Sequence, residues 1–123
     1  MAGEGFDFEG LVRAGYPLQQ FAEGERIFVD GDEGNAMYAV RSGAVSIVSA
    51  GAVLETVRPG ETFGELTLID GSPRGATAIA REPTEVAVID ERAFHYLVER
   101  NPPFALDLLR RLSRRLRRMN ESL

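Results

Sequence analysis

The chain has 123 residues, 44% of them hydrophobic, and a formal net charge of −5, which suits one compact domain. With no cysteine and a single histidine, His95, it is excluded from disulfides, thiolate metal sites, Cys nucleophiles and multi-histidine metal centres. No apolar run approaches the ~18 residues of a membrane span, and the acidic stretch from Met1 to Asp7 lacks a signal-peptide core, so a soluble, cytoplasmic protein without a membrane segment is expected.

The charge is unevenly placed. Residues 1–109 hold 18 acidic and 8 basic side chains, whereas residues 110–123 hold six arginines and one glutamate. An acidic body disfavours general nucleic-acid binding.

In chain order, Phe8 to Arg13 can form a short helix within an N-terminal segment, residues 1–16. From Pro17 to Asp90, β-rich pieces alternate with glycine turns: residues 26–29, 37–40, 44–48, 53–57, 78–80 and 86–89. Val45-Ser46-Ile47 and Leu54-Glu55-Thr56-Val57 each show one apolar face. The class is mainly β with flanking helices, a sandwich or barrel-like roll. Asp30-Gly31-Asp32-Glu33-Gly34-Asn35 reads as a turn, because it lacks the later glutamate of an EF-hand loop.

Asp90 can cap a helix through Phe94, Leu97 and Val98 that stops before Pro102. His95 falls on its surface. Asn101 and Pro102 then suit the cap and first position of a last helix. In residues 101–123, Ala105, Leu109, Leu112, Leu116, Met119 and Leu123 are spaced 4, 3, 4, 3, 4, an a/d heptad seam. Two uses stay open: packing on the chain's own β-roll and pairing with a second copy. The flanking Arg110, Arg111, Arg114, Arg115, Arg117 and Arg118 read as a solvated face favoured by the helix dipole, with contact to the acidic body as the alternative. No aromatics are interleaved for base stacking and no helix-turn-helix follows, so no DNA-binding motif is expected.

The stretch Phe63-Gly64-Glu65-Leu66-Thr67-Leu68-Ile69-Asp70-Gly71-Ser72-Pro73-Arg74-Gly75-Ala76-Thr77 carries the chemistry. Gly64 lets a ligand approach the backbone, and the start of a short helix at Glu65 presents unpaired N–H groups to an anion. Arg74 can give two parallel hydrogen bonds to phosphate oxygens. Glu65 only accepts, which suits a sugar diol. Phosphate plus polyol describes a nucleotide; a plain Glu65–Arg74 salt bridge fits the same residues.

Gly64-Glu65-Leu66-x-Leu68-x-x-x-x-Pro73-Arg74-x-Ala76-Thr77 resembles the phosphate-binding cassette of cyclic-nucleotide-binding domains. That family includes protein kinase A regulatory subunits, cyclic-nucleotide-gated channels and bacterial catabolite activator proteins. Phe21-x-x-Gly24-x-x-Ile27-x-x-x-Gly31-Asp32 resembles its opening strands, Met37-Tyr38-Ala39-Val40-x-x-Gly43-x-Val45 its next hairpin, and Val57-x-x-Gly60-x-x-Phe63 the approach to the cassette. The resemblance implies an eight-stranded β-roll, or jelly roll, over residues 17–100 with the helix that follows. It implies that Glu65 binds the ribose 2′-hydroxyl and Arg74 the exocyclic phosphate oxygens. Backbone N–H groups near Gly64, Glu65, Leu66 and Ala76 would complete the cradle, and Ile47 and Phe63 would wall it. The C-terminal helix or a partner chain would cover the purine.

Gly75 stands where cGMP-selective members often carry a hydroxyl, which tilts the ligand toward cAMP, with cGMP possible. Thr67 replaces the small residue usual after Glu-Leu, a change expected to be tolerated. No nucleophile–base pair is visible, so no enzyme and no metal are expected. The resulting expectation is a cAMP sensor that transmits occupancy through its C-terminal helices, with a possible homodimer through the last one. The alternative is a nucleotide-independent β-roll used for dimerisation or docking.

Overall fold

The computed structural model describes residues 6–121. In order, the elements are α1 (Phe8–Arg13), β1 (Leu18–Phe21), β2 (Arg26–Phe28), β3 (Met37–Ser42), β4 (Val45–Ser49), β5 (Ala52–Val57), β6 (Thr62–Phe63), α2 (Glu65–Asp70), β7 (Thr77–Ala80), β8 (Thr84–Ile89), α3 (Glu91–Arg100) and α4 (Pro103–Glu121). The strands form two four-stranded antiparallel sheets, ordered β1-β8-β3-β6 and β2-β7-β4-β5. This is the expected eight-stranded roll with flanking helices. Met1 to Gly5, Glu4 among them, lie outside the described residues, as does Leu123 of the seam.

The alternation of side chains makes three layers. Val40, Val45, Val57, Phe63, Ala78 and Val86 fill the space between the sheets. On the other face of the β1-β8-β3-β6 sheet, Met37, Ala39, Ala87 and Ile89 meet Leu11, Ala93, Leu97 and Leu108 of the helices. A sheet covered on both faces explains why Val86-Ala87-Val88-Ile89 is continuously apolar. The second sheet has one face in water, and its β5 leaves Val53 and Leu54 exposed, so the apolar face expected for Leu54 to Val57 is buried only at Val57.

The expected hairpin over Met37 to Val45 is instead a corner: β3 and β4 lie in different sheets. Gly43 makes the turn at φ 89°, and a Cβ there would stand 2.5 Å from the Pro83 carbonyl oxygen. Only glycine allows both the left-handed backbone and that approach. The hairpin joining neighbouring strands is β4–β5, turned by Ala50 (φ 50°) and Gly51 (φ 78°), the two positive φ values of a type I′ turn.

Local signals set the helices. Asp7 Oδ1 accepts from the Gly10 amide at 2.8 Å and starts α1, and Asp90 Oδ1 accepts from the Ala93 amide at 2.9 Å and starts α3. His95 is exposed on α3, 3.7 Å from Glu91. Asn101 closes α3, its N–H donating to the Leu97 carbonyl at 2.8 Å, and α4 begins at Pro103, one residue later than expected.

The seam on α4 is not the face that packs inward. Phe104 and Leu108 sit against the helical core cluster, and Arg111 and Arg115 reach β6 and β5. At about 100° per residue, Ala105, Leu109, Leu112 and Leu116 lie roughly a quarter turn away from that stripe. Leu109 and Leu116 are 58% and 60% exposed, while Ala105 and Leu112 at the edge of the inward face are half-buried.

Candidate functional site

The cassette is built where β6 ends. Gly64, at φ 78°, breaks the strand and caps α2, with no side chain bonding its first amides. Those first-turn N–H groups have no partner within the helix. Gly71, at φ 72°, closes the helix. The Ser72 amide and hydroxyl both bond Asp70 and hold its carboxyl below the usual aspartate range, the hydroxyl having the larger effect. The chain then returns through Arg74 into β7.

Arg74 is buried, 5% exposed. Its backbone is fixed by a pair of bonds to the 31–32 turn: its N–H donates to the Asp32 carbonyl at 2.8 Å, and its carbonyl accepts from Gly31 at 2.7 Å. So Asp30 to Asn35 is a turn that positions the arginine. The guanidinium lies 4.2 Å over the Phe28 ring and near Tyr38. Nη2 donates to the Ala36 carbonyl at 2.7 Å and Nη1 to the Gly64 carbonyl at 3.0 Å, while Nε is buried with no partner. Two glycines make its room. A Cβ at Gly64 would stand 2.9 Å from Nη1, and one at Gly34 would stand 3.0 Å from Nη2.

Glu65 is 2% exposed, yet among the described residues it does not pair with Arg74, so the simple salt bridge between them is not formed. Its Oε1 accepts from the Thr62 hydroxyl at 2.8 Å. Its charge faces α4, with Arg111 Nη1 at 3.9 Å and Arg115 Nη1 at 3.8 Å. Arg111 also donates to the Thr62 hydroxyl and, at 3.1 Å, to the Thr62 carbonyl. Arg115 donates to Glu55 on β5 at 2.8 Å.

The remaining expected residues fall on different sides of this centre. Phe63 is in the inter-sheet core, its ring stacked at 5.1 Å on Tyr38, one of the two rings that face the arginine. Ile47 is half-buried against the same cluster. Leu66 and Gly75 are exposed and Ala76 is half-buried. Thr67 is buried on α2. A cavity of about 440 Å³ lies beyond Arg111, against Thr62, Phe104, Leu108 and Arg114; neither Glu65 nor Arg74 lines it. Among the described residues no three potential ligands cluster to hold a metal ion, and no helix is long and apolar enough to cross a membrane.

Sequence reasoning missed Thr62 and Glu55, and the solvated face expected for the arginines does not hold for Arg111 and Arg115, which meet the acidic body instead. The Thr62–Glu65 contact joins two side chains across the Gly64 cap and is not a capping box, so the spacing alone does not signal it. The i, i+4 spacing of Arg111 and Arg115 puts them on one face. Nothing in the sequence marks Glu55.

The cyclic nucleotide-binding domain pattern matches residues 18–101. The chain is 36% identical over 112 residues to the cyclic AMP receptor protein of Thermus thermophilus, covering 87% of this chain and 52% of that protein. It is 39% identical over 75 residues to the cAMP-dependent protein kinase regulatory subunit of Yarrowia lipolytica, covering 61% of this chain and 20% of that one. The crystal structure of Thermus thermophilus catabolite activator protein superposes with a TM-score of 0.80 at 34% identity, over 98% of this chain and 60% of that chain. The chain thus spans 20% to 60% of the length of these relatives. With the roll, the cassette glycines and the buried arginine in place, the chain belongs to the cyclic nucleotide-binding domain family.

Proposed function

We propose that this chain binds cAMP through Glu65 and Arg74 and transmits occupancy through α3 and α4. One observation carries the reading: Arg74 is a buried cation with an unpartnered Nε and, among the described residues, no carboxylate partner. A buried charge is costly unless an opposite charge meets it, and a phosphate supplies one with two acceptors in the right plane. Glu65, buried and only accepting, is kept apart from it for the ribose hydroxyl. Phe63 and Ile47 support the site from the core, and the first amides of α2 with the Ala76 N–H complete the cradle. The relatives named for cAMP and the missing hydroxyl at Gly75 favour cAMP over cGMP. In this reading residues 17–100 are the binding unit and 101–123 its lid or dimerisation helix, and the chain is a regulatory module, not an enzyme. Calorimetric titration with cAMP and with cGMP tests it. Binding of cAMP tighter than cGMP is expected, and absence of heat and of thermal shift with both would overturn it.

A second reading adds a homodimer through α4. It rests on Leu109 and Leu116, which the fold leaves exposed on the heptad seam. Sedimentation with and without cAMP tests it, and a monomer throughout at high concentration would remove it.

A further inference from the structure

We infer that Phe28 is a positioning residue for cAMP binding: its ring face, in place of a carboxylate, holds Arg74 ready for the phosphate. The inference rests on the assignment of Arg74 to the cyclic phosphate.

Three rings gather at the cassette arginine. The guanidinium carbon lies 4.2 Å from the Phe28 ring centroid and 5.6 Å from that of Tyr38. Phe63 stacks on Tyr38 at 5.1 Å, and Phe28 is 5.9 Å from each of them. Phe28 is thus the nearest face.

The chain departs from a regular strand to put it there. Ile27 and Phe28 are adjacent in sequence, yet both pack against the inter-sheet cluster. A regular strand sends such neighbours to opposite faces. The register of β2 is irregular at this point: Arg26 pairs with Ile79 and Phe28 with Ala78, two steps on β2 against one on β7. A bulge of this kind re-aims a side chain. Gly64 leaves room on the cassette side, since a Cβ there would stand 3.3 Å from Phe28 Cε2 as well as 2.9 Å from Arg74 Nη1.

The chemistry of a ring suits an anion site that must wait for its anion. Arg74 is buried, and a buried cation needs compensation. Among the described residues no carboxylate pairs with it. A carboxylate would neutralise the guanidinium and contend with phosphate for its donors, whereas the negative face of a ring attracts the cation without taking up its charge. Phosphate bonds a guanidinium through its in-plane N–H groups, not through its face. Pro73 and Gly75, on either side of Arg74, are exposed, so water is within reach of the side chain. The ring contact exists with the arginine in place and is lost when it turns outward. The ring therefore weights the in-place state, and apparent affinity follows the fraction in that state. A phenylalanine that only filled core space would be indifferent to the charge distribution of its ring.

Ring electronics supply the test. The full chain is made with Phe28 replaced by phenylalanine bearing one, two or three ring fluorines; fluorine drains the π face and barely alters its shape. The same series at Phe94, in the helical cluster, is the control. Titration with cAMP should give a Kd that rises with each fluorine at Phe28, about three- to tenfold over the series, and stays flat at Phe94. Without nucleotide, the Arg74 Nε–H proton should resonate upfield in wild type relative to Phe28→Leu, which lacks the shielding of the ring. A Kd that is flat or falling along the Phe28 series, or an Nε–H signal that Phe28→Leu leaves unmoved, would overturn the positioning role. If the unmodified chain binds neither cAMP nor cGMP, the ligand reading fails and the positioning role falls with it, even where the Nε–H signal shows the ring contact to be real.

Discussion

Arg74 is where fold stability and anion binding should come apart. Arg74→Met keeps most of the side chain's length and removes its charge. In the protein the guanidinium donates to two backbone carbonyls, at 2.7 and 3.0 Å, and sits 4.2 Å from the Phe28 ring centroid. Losing those bonds costs about 1.5–3 kcal/mol each, and losing a desolvated cation–π contact about 2 kcal/mol. Against this, the variant no longer buries a cation without a counter-charge, a penalty of several kcal/mol. The terms offset, so the unfolding free energy measured in urea should change by no more than about 2 kcal/mol. Affinity has no such offset. A phosphate that loses two parallel charge-assisted bonds loses about 3–6 kcal/mol, more than about a hundredfold in Kd. Urea unfolding and cAMP titration on one preparation read both quantities. An unchanged Kd refutes the site, and a stability loss above about 4 kcal/mol would mean that Arg74 is kept for the fold and not for a ligand.

Other substitutions separate site from scaffold. Gly34→Ala places a Cβ 3.0 Å from Arg74 Nη2 at a position with no positive φ; it should weaken cAMP binding on the order of tenfold while leaving urea unfolding nearly unchanged. Gly75→Thr meets no atom within 4 Å of its Cβ, so it should fold normally and move the cAMP-to-cGMP Kd ratio toward cGMP by about fivefold in competition titrations, the worth of one hydrogen bond. Gly43→Ala, forced to φ 89° and within 2.5 Å of the Pro83 carbonyl oxygen, should cost at least about 2 kcal/mol in urea and lie far from any ligand effect. Ser72→Ala removes the main cause of the lowered Asp70 pKa, so the Asp70 carboxyl followed by NMR should titrate at higher pH. A lowered folded-state pKa stabilises above the unfolded aspartate value of about 3.9 and stops doing so as pH falls through the folded value. The linkage difference between Ser72→Ala and wild type should therefore persist at neutral pH and vanish in acid; an unmoved Asp70 midpoint would contradict it.

What could be read from the sequence was what local chemistry decides. Asp90 marks a helix start because a short carboxylate beside free amides needs no distant partner. Gly64 and Arg74 are legible because their side-chain chemistry, or lack of it, names the task. The two-residue β6 has no periodicity to detect. Gly43 read as a hairpin turn because a glycine after a strand looks the same whether the chain returns to its own sheet or crosses to the other. What decides is the approach of Pro83 and Thr84, forty residues on. The α4 seam was visible as a leucine repeat, but the face that packs inward was not. Phe104, Leu108, Arg111 and Arg115 join two apolar residues to two cations, and hydrophobic periodicity is blind to a face that is half charge.

That mixed face also accounts for the uneven charge. The acidic body and the arginine-rich end of the chain are not independent: Arg111 and Arg115 lie against Glu55 and Glu65, and Arg110 is met by Asp107 on its own helix. The asymmetry is therefore partly neutralised within the fold, and the charges that meet α4 on the body are those of Glu55 and Glu65. Because the leucine seam lies about a quarter turn from this face, holding Glu65 and presenting Leu109 and Leu116 do not compete for the same side of the helix.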